Sequence, residues 1–220
     1  MKKKIAIIGS GISGLSAASY CAQAGNEVHV FEKQDQPGGR ARQFQTDNGY
    51  TFDMGPSWYW MPDIIESFFN NFGYHATDFY NLVALNPQFE IIFQDGKITV
   101  PESYDDLKVL FEDIEKGAGE KLDLFMKSAK YKYDIGMKEF VNKPCHSWLE
   151  FLSPKIAGST LKLNLLTNFR SYVGKYFSNH KLRALMEFPV IFLGASPTKI
   201  PALYSLMNYG GYALGTWYPM

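Results

Sequence analysis

KIAIIGSGISGLSAASYCAQAGNEVHVFE, residues 4–32, is the stretch whose reading decides the fold. Lys4–Ile8 is a short apolar run rich in β-branched residues, suited to a fully buried strand of a parallel sheet. A glycine turn, Gly9-Ser10-Gly11-Ile12-Ser13-Gly14, follows at once. Ile12, Leu15, Ala18 and Cys21/Ala22 then recur at helical spacing up to Gly25, which stands where a helix C-terminus favours glycine. Val28, Val30 and Phe31 form a second strand ending in Glu32. Strand, helix and strand in this order make a βαβ unit, which implies a parallel sheet with a right-handed crossover.

That context gives each glycine a task. Gly9 permits the tight turn, Gly11 lets backbone approach a pyrophosphate at the positive end of the helix, and Gly14 lets helix and strand pack closely. Glu32, at the end of the second strand, can accept hydrogen bonds from the ribose hydroxyls of an adenosine and disfavours a 2′-phosphate. This unit binds ADP without choosing between NAD and FAD. The next segment chooses. Pro37-Gly38-Gly39-Arg40-Ala41 offers a second close backbone approach and a guanidinium fork for phosphate oxygens. FAD needs such an element beyond the pyrophosphate, whereas a nicotinamide dehydrogenase does not.

Downstream, Ile64, Ile65, Phe68, Phe69 and Phe72 share one helical face between Pro62 and Gly73. Phe89–Phe93 and Lys97–Val100 flank Asp95-Gly96, a hairpin signal. Helices are expected over 105–116 and 120–140, then between Trp148 and Met207 with breaks at Pro154, Gly158, Gly174, Pro189 and Pro197.

The sequence resembles a family. The run from Glu32-Lys33 through Pro37-Gly38-Gly39-Arg40-Ala41, then Tyr50-Thr51-Phe52-Asp53-Met54-Gly55-Pro56-Ser57-Trp58, Met61-Pro62-Asp63 and the closing Gly215-Thr216-Trp217-Tyr218-Pro219, is similar to the carotenoid (phytoene-type) desaturases of the FAD-dependent amine oxidase superfamily. The resemblance implies FAD as cofactor and an apolar polyene such as phytoene as substrate. The implied reaction removes two hydrogens from a saturated C–C unit; flavin reoxidation needs an acceptor such as quinone or oxygen, which the sequence does not choose, and no catalytic residue is assigned. By position, it also implies that Gly9, Gly11 and Gly14 contact the pyrophosphate, Glu32 the ribose, and Gly38, Gly39 and Arg40 the phosphate and ribityl region. Gly55, Pro56 and Ser57 would pass near the isoalloxazine. Gly55-Pro56 reads equally as a strand-ending turn, and Trp58-Tyr59-Trp60 as core aromatics. Members of that family are considerably longer. The expected architecture is therefore α/β: a Rossmann-like FAD-binding domain over residues 1–100, completed by C-terminal sequence. A largely helical substrate- and membrane-associated domain is inserted after it, over 101–220. Two other readings stay open: another FAD enzyme of the superfamily (amine oxidase, carotenoid isomerase or ketolase), and an inactive fragment that only binds a membrane or partner.

Charge adds a location. The chain is neutral, with 22 Lys/Arg against 22 Asp/Glu, which argues against a nucleic-acid binder. Residues 1–150 nonetheless carry −6 and residues 151–220 carry +6. Between Glu150 and Glu187, Lys155, Lys162, Arg170, Lys175, Lys181 and Arg183 alternate with aromatic and aliphatic residues. This composition suits residues 151–186 for peripheral docking on a membrane surface, and it equally suits a solvated basic face over a core. Two cysteines, Cys21 and Cys145, fit a reducing cytoplasm. The uncharged run Ile5–Ala24 imitates a signal peptide, but Gly9, Gly11 and Gly14 interrupt it. The uncharged run Ile200–Met220 contains Pro201, Gly210-Gly211, Gly215 and Pro219 and reads as buried helix followed by strand. No metal site is expected: Cys145-His146 lacks a second pair, and His29, His75 and His180 stand alone.

Overall fold

The computed structural model describes residues 1–137 and 163–220. The paired Cys145-His146, the end of the helix expected over 120–140 and the first part of the basic stretch lie outside the described residues. The chain forms two compact units, one of residues 1–59 and 64–80, the other of residues 60–63 and 81–220.

The first unit opens with the expected βαβ order. Strand β1 (Lys4–Ile8) pairs in parallel with β2 (Glu27–Phe31), Ile5 opposite Val28 and Ile7 opposite Val30, across helix α1 (Ile12–Gln23). Gly25 takes φ +81°, and its amide donates to the Ala22 carbonyl at 2.9 Å, which ends the helix as its position foretold. The expectation of a fully buried strand does not hold, because no β1 residue is buried and Ile8 is 91% exposed. A parallel strand is buried only when both faces of its sheet are covered. Here the described sheet has only two strands. A short hairpin, β3 (Gln43–Gln45) with β4 (Thr51–Asp53), follows. Helix α2 spans Pro62–Asn70, and from it Phe68, with Phe72 beyond its end, closes on Tyr20 of α1 at ring separations of 5.9 and 5.0 Å. Asn71 Nδ2 donates to the Tyr20 hydroxyl at 2.8 Å, so this aromatic contact keeps its polar tip satisfied.

The second unit mixes strands and helices. Strand β5 (Leu82–Ala84) pairs antiparallel with β8 (Trp217–Pro219), and β6 (Phe89–Phe93) with β7 (Gly96–Val100). Phe93 lies opposite Gly96, so the hairpin turn is Gln94-Asp95, one residue earlier than Asp95-Gly96, and Gly96 takes φ +133° as its first paired residue. Helices α3 (Tyr104–Ile114), α4 (Ala118–Ile135), α5 (Phe169–Val173) and α6 (His180–Glu187) supply the core. Ser103, Asn168 and Asn179 cap α3, α5 and α6 through their side chains. Leu107, Phe111, Leu122, Phe125, Phe169, Phe177, Leu182 and Leu185 are fully buried. Residues 202–213 wind through short helical turns before β8, as the reading of a buried helix then strand requires.

The same core decides how the described part of the basic stretch is used. Phe169, Tyr172 and Phe177, which alternate with its cations, are buried. Arg170 pairs with Glu187 at 2.9 Å, and Lys181 pairs with Asp95 at 2.8 Å. Among the described residues no helix is long and apolar enough to cross a membrane.

Candidate functional site

The glycine segments meet inside the first unit. Gly9 continues the sheet by donating its amide to the Phe31 carbonyl at 2.7 Å, and it turns at φ +98°. A Cβ at Gly14 would overlap the Gly9 carbonyl oxygen, so helix and turn can pack this closely only without a side chain. Gly11 and Gly38 form a parallel bridge, and the Gly38 amide donates to the Ser10 carbonyl at 2.9 Å. A Cβ at Gly39 would lie 2.9 Å from Gly11 Cα. The two glycine motifs are thus zipped backbone to backbone. Gly55 joins them, since a Cβ there would overlap the Arg40 carbonyl oxygen, and the neighbouring Met54 amide donates to the Arg42 carbonyl at 2.8 Å. Pro56 and Ser57 continue from Gly55 as exposed residues.

Glu32 is already engaged. Its Oε2 accepts from the Ser10 amide at 2.7 Å and from the Ser10 hydroxyl at 2.9 Å, and its Oε1 accepts from the Gln34 amide at 3.0 Å. Hydrogen bonds from the Ser10 backbone first, then from Gln34 and the Ser10 side chain, hold the carboxyl down at about 2. A carboxylate offers about four lone-pair positions. Most of those positions are therefore taken by Ser10, Gln34 and the Lys33 amide, leaving the carboxylate less free for ribose hydroxyls than the spacing alone allowed. The carboxylate also ties the glycine turn to the end of β2.

Ser10 and Arg42 were missed by sequence reasoning. Ser10 is 4% exposed and bridges loop and carboxylate. It occupies a variable position of GxGxxG, where no spacing rule marks it. Arg42 follows Arg40 by two residues. Arg40 is exposed, within a short 3-10 turn at 39–41. The Arg42 stem instead lies beside Gly38, with Cγ 3.5 Å from where a Cβ would stand. Its Nε is buried and has no hydrogen-bond partner. A backbone cradle kept open by glycines, a helix start with no acidic residue in its first turn, and an orphaned cationic donor are the features an anionic dinucleotide fits. Among the described residues, no group of three or more His, Cys, Asp or Glu could hold a metal ion.

In the second unit, Trp60 Nε1 donates to Thr216 Oγ1 at 2.8 Å. Thr216 Oγ1 in turn donates to Gln88 Oε1 at 2.7 Å, and Gln88 Nε2 donates to the Pro101 carbonyl at 2.9 Å. Trp60 belongs to the aromatic run that the sequence left open between core and site. It is part of a packed, hydrogen-bonded interior here, with its ring against Gly211, where a Cβ would lie 2.9 Å from it.

The family model described as an NAD(P)-binding Rossmann-like domain matches residues 7–72, which hold both glycine motifs, Glu32 and Gly55. A carotenoid 3,4-desaturase of Haloarcula japonica is 39% identical over 219 residues, covering 98% of this chain and 44% of the relative. A 4,4'-diapophytoene desaturase (4,4'-diaponeurosporene-forming) of Staphylococcus haemolyticus is 33% identical over 204 residues, covering 92% of this chain and 40% of the relative. A putrescine oxidase variant superposes with a TM-score of 0.59 at 17% identity, covering 99% of this chain and 46% of that structure, which speaks for the fold alone. The similarity to carotenoid desaturases runs over nearly the whole chain, and the chain spans less than half the length of these relatives.

Proposed function

We propose, taking the kinship to carotenoid desaturases as premise, that this chain is part of an FAD-dependent oxidoreductase that desaturates a C–C bond of an apolar polyene of the phytoene class. The observation that carries the reading is the interlock of Gly9, Gly11, Gly14, Gly38, Gly39 and Gly55 around the Ser10–Glu32 pair, a cradle that side chains would close. Bound flavin would supply acceptance of a hydride, with a proton lost from the neighbouring carbon. The chain's own residues bind and orient. The backbone at Gly9, Gly11 and Gly14 would face the pyrophosphate and Glu32 would accept from the ribose. Gly38, Gly39 and Arg40 would flank the phosphate and ribityl region, and Gly55, Pro56 and Ser57 would lead toward the ring system. Flavin absorbance and fluorescence on the purified chain with added FAD test this reading. Bound, quenched flavin is expected, and a colourless protein indifferent to FAD overturns it. Incubation of the flavin-loaded protein with phytoene and, separately, with an amine distinguishes a desaturase from an amine oxidase.

Peripheral attachment to a membrane extends the proposal, because a polyene dissolved in the bilayer then never enters water. Leu166 is 93% and Ile191 61% exposed, in a part of the chain that carries net positive charge. Exposed apolar side chains beside cations are what an anionic lipid surface recruits. Co-sedimentation with anionic vesicles is expected. Binding unaltered by neutral lipid, or by replacing Lys175 and Arg183, removes this part of the proposal.

A further inference from the structure

We propose that Arg42, rather than backbone alone, is the diphosphate-binding cation of the nucleotide site; this rests on the nucleotide-binding reading above. Three backbone donors beside the paired glycines are already committed. Gly9 N–H is bound to the Phe31 carbonyl, Ser10 N–H to Glu32 and Gly38 N–H to the Ser10 carbonyl. The close approach of the two motifs therefore uses up amides that a diphosphate would otherwise take. What stays available includes the start of α1, whose N-cap Gly11 contributes no side-chain bond and whose first turn holds no acid, together with the Arg42 guanidinium. Helix starts attract anions through their free amides and dipole.

The Arg42 side chain is built into the fold. Its stem packs beside Gly38, its carbonyl receives the Met54 amide from the strand that leads to Gly55, and its Nε is buried with no partner. A guanidinium presents its donors in a fixed planar fork that matches phosphate oxygens. An unsatisfied buried donor of this kind is costly, and an anionic oxygen beside the glycine pair satisfies it. Arg40 is exposed, and its neighbouring glycine contact engages the carbonyl, not the side chain. The guanidinium held by the fold is thus that of Arg42, two residues past the one the glycine-pair motif singles out.

The test is binding of ADP and of adenosine to the full 220-residue chain, followed by calorimetric or chemical-shift titration, for the wild type, Arg42→Gln and Arg42→Lys. The wild type is expected to bind ADP more tightly than adenosine. Arg42→Gln should weaken ADP at least tenfold, leave adenosine within twofold, and reduce the salt dependence of ADP binding. Arg42→Lys, which keeps charge but loses Nε–H, should fall between the two. ADP affinity within twofold of wild type in Arg42→Gln overturns the assignment, as does an equal loss of ADP and adenosine, which marks a purely structural residue. A wild-type chain that binds ADP no better than adenosine defeats the nucleotide reading itself, a result distinct from either.

Discussion

Lys132 on α4 offers the sharpest test of the packing in the second unit. It is fully buried, its Nζ donates to the Ala202 carbonyl at 3.2 Å and to Ser205 Oγ at 3.0 Å, and it lies 3.9 Å from the centre of the Tyr172 ring. Desolvation pushes its ammonium down to about 7 from the ordinary 10.5. The unfolded chain then holds more protons on this group than the folded one between those two values, so its contribution to stability improves as pH rises through that window. The linkage cost is about 4 kcal/mol at about pH 7 and about 1 kcal/mol at about pH 9.5. Lys132→Met keeps the length of the side chain and removes the charge, at the loss of two hydrogen bonds of about 1 kcal/mol each. Ala202 O retains a donor, since Ser205 Oγ also reaches it at 2.8 Å. The variant should therefore be more stable than wild type by about 2 kcal/mol near neutral pH and less stable by about 1 kcal/mol near pH 9.5. Urea unfolding followed by tryptophan fluorescence, run on both proteins at both pH values, measures this, and other titrating groups cancel in the difference. A variant that is less stable by the same amount at both pH values refutes the reasoning. It would mean that the amine stays charged and that the Tyr172 ring face and the two oxygens fully compensate its burial.

Three further outcomes follow from single contacts. Thr216→Val leaves Trp60 Nε1 and Gln88 Oε1 without their shared partner and should cost about 3 kcal/mol in urea unfolding. Gly55→Ala places a methyl group on the Arg40 carbonyl; the backbone shift should cost about 2 kcal/mol and weaken FAD binding measured by fluorescence quenching, and unchanged binding removes Gly55 from the cradle. Glu32 stabilises the glycine turn above its ordinary value of 4.5, and that stabilisation is lost as pH falls through about 2. The stability difference between wild type and Glu32→Gln should accordingly shrink on acidification across that interval, and a difference flat in pH contradicts the Ser10–Glu32 bond.

How far residues alone reached depends on whether the structure they specify is local. Strand β1, the turn at Gly9 and helix α1 ending before Gly25 depend on period and turn chemistry within a few residues, and their bounds match the reading closely. The hairpin at 89–100 shifted by one residue because the glycine with φ +133° sits in the paired position after the turn rather than within it. Arg40 was singled out because it touches the glycine pair in sequence. Arg42 emerged only because its stem lies beside Gly38.

By itself the sequence determined a βαβ unit with two glycine motifs and an acid just past the end of β2, because those features are set by backbone geometry over short spans. Only the tertiary structure decided what those groups touch. The pairing of β5 with β8 joins segments far apart in the chain, the exposure of β1 depends on how many strands and helices cover its sheet, and Glu32 is held by Ser10 across a loop. As a string of letters the cations from Arg170 to Arg183 suited a lipid-facing stripe and a basic face over a core equally. In the fold their aromatic neighbours are core and Arg170 and Lys181 have carboxylate partners. Burial and pairing are properties of surfaces brought together over long distances in sequence, and no local pattern carries that information.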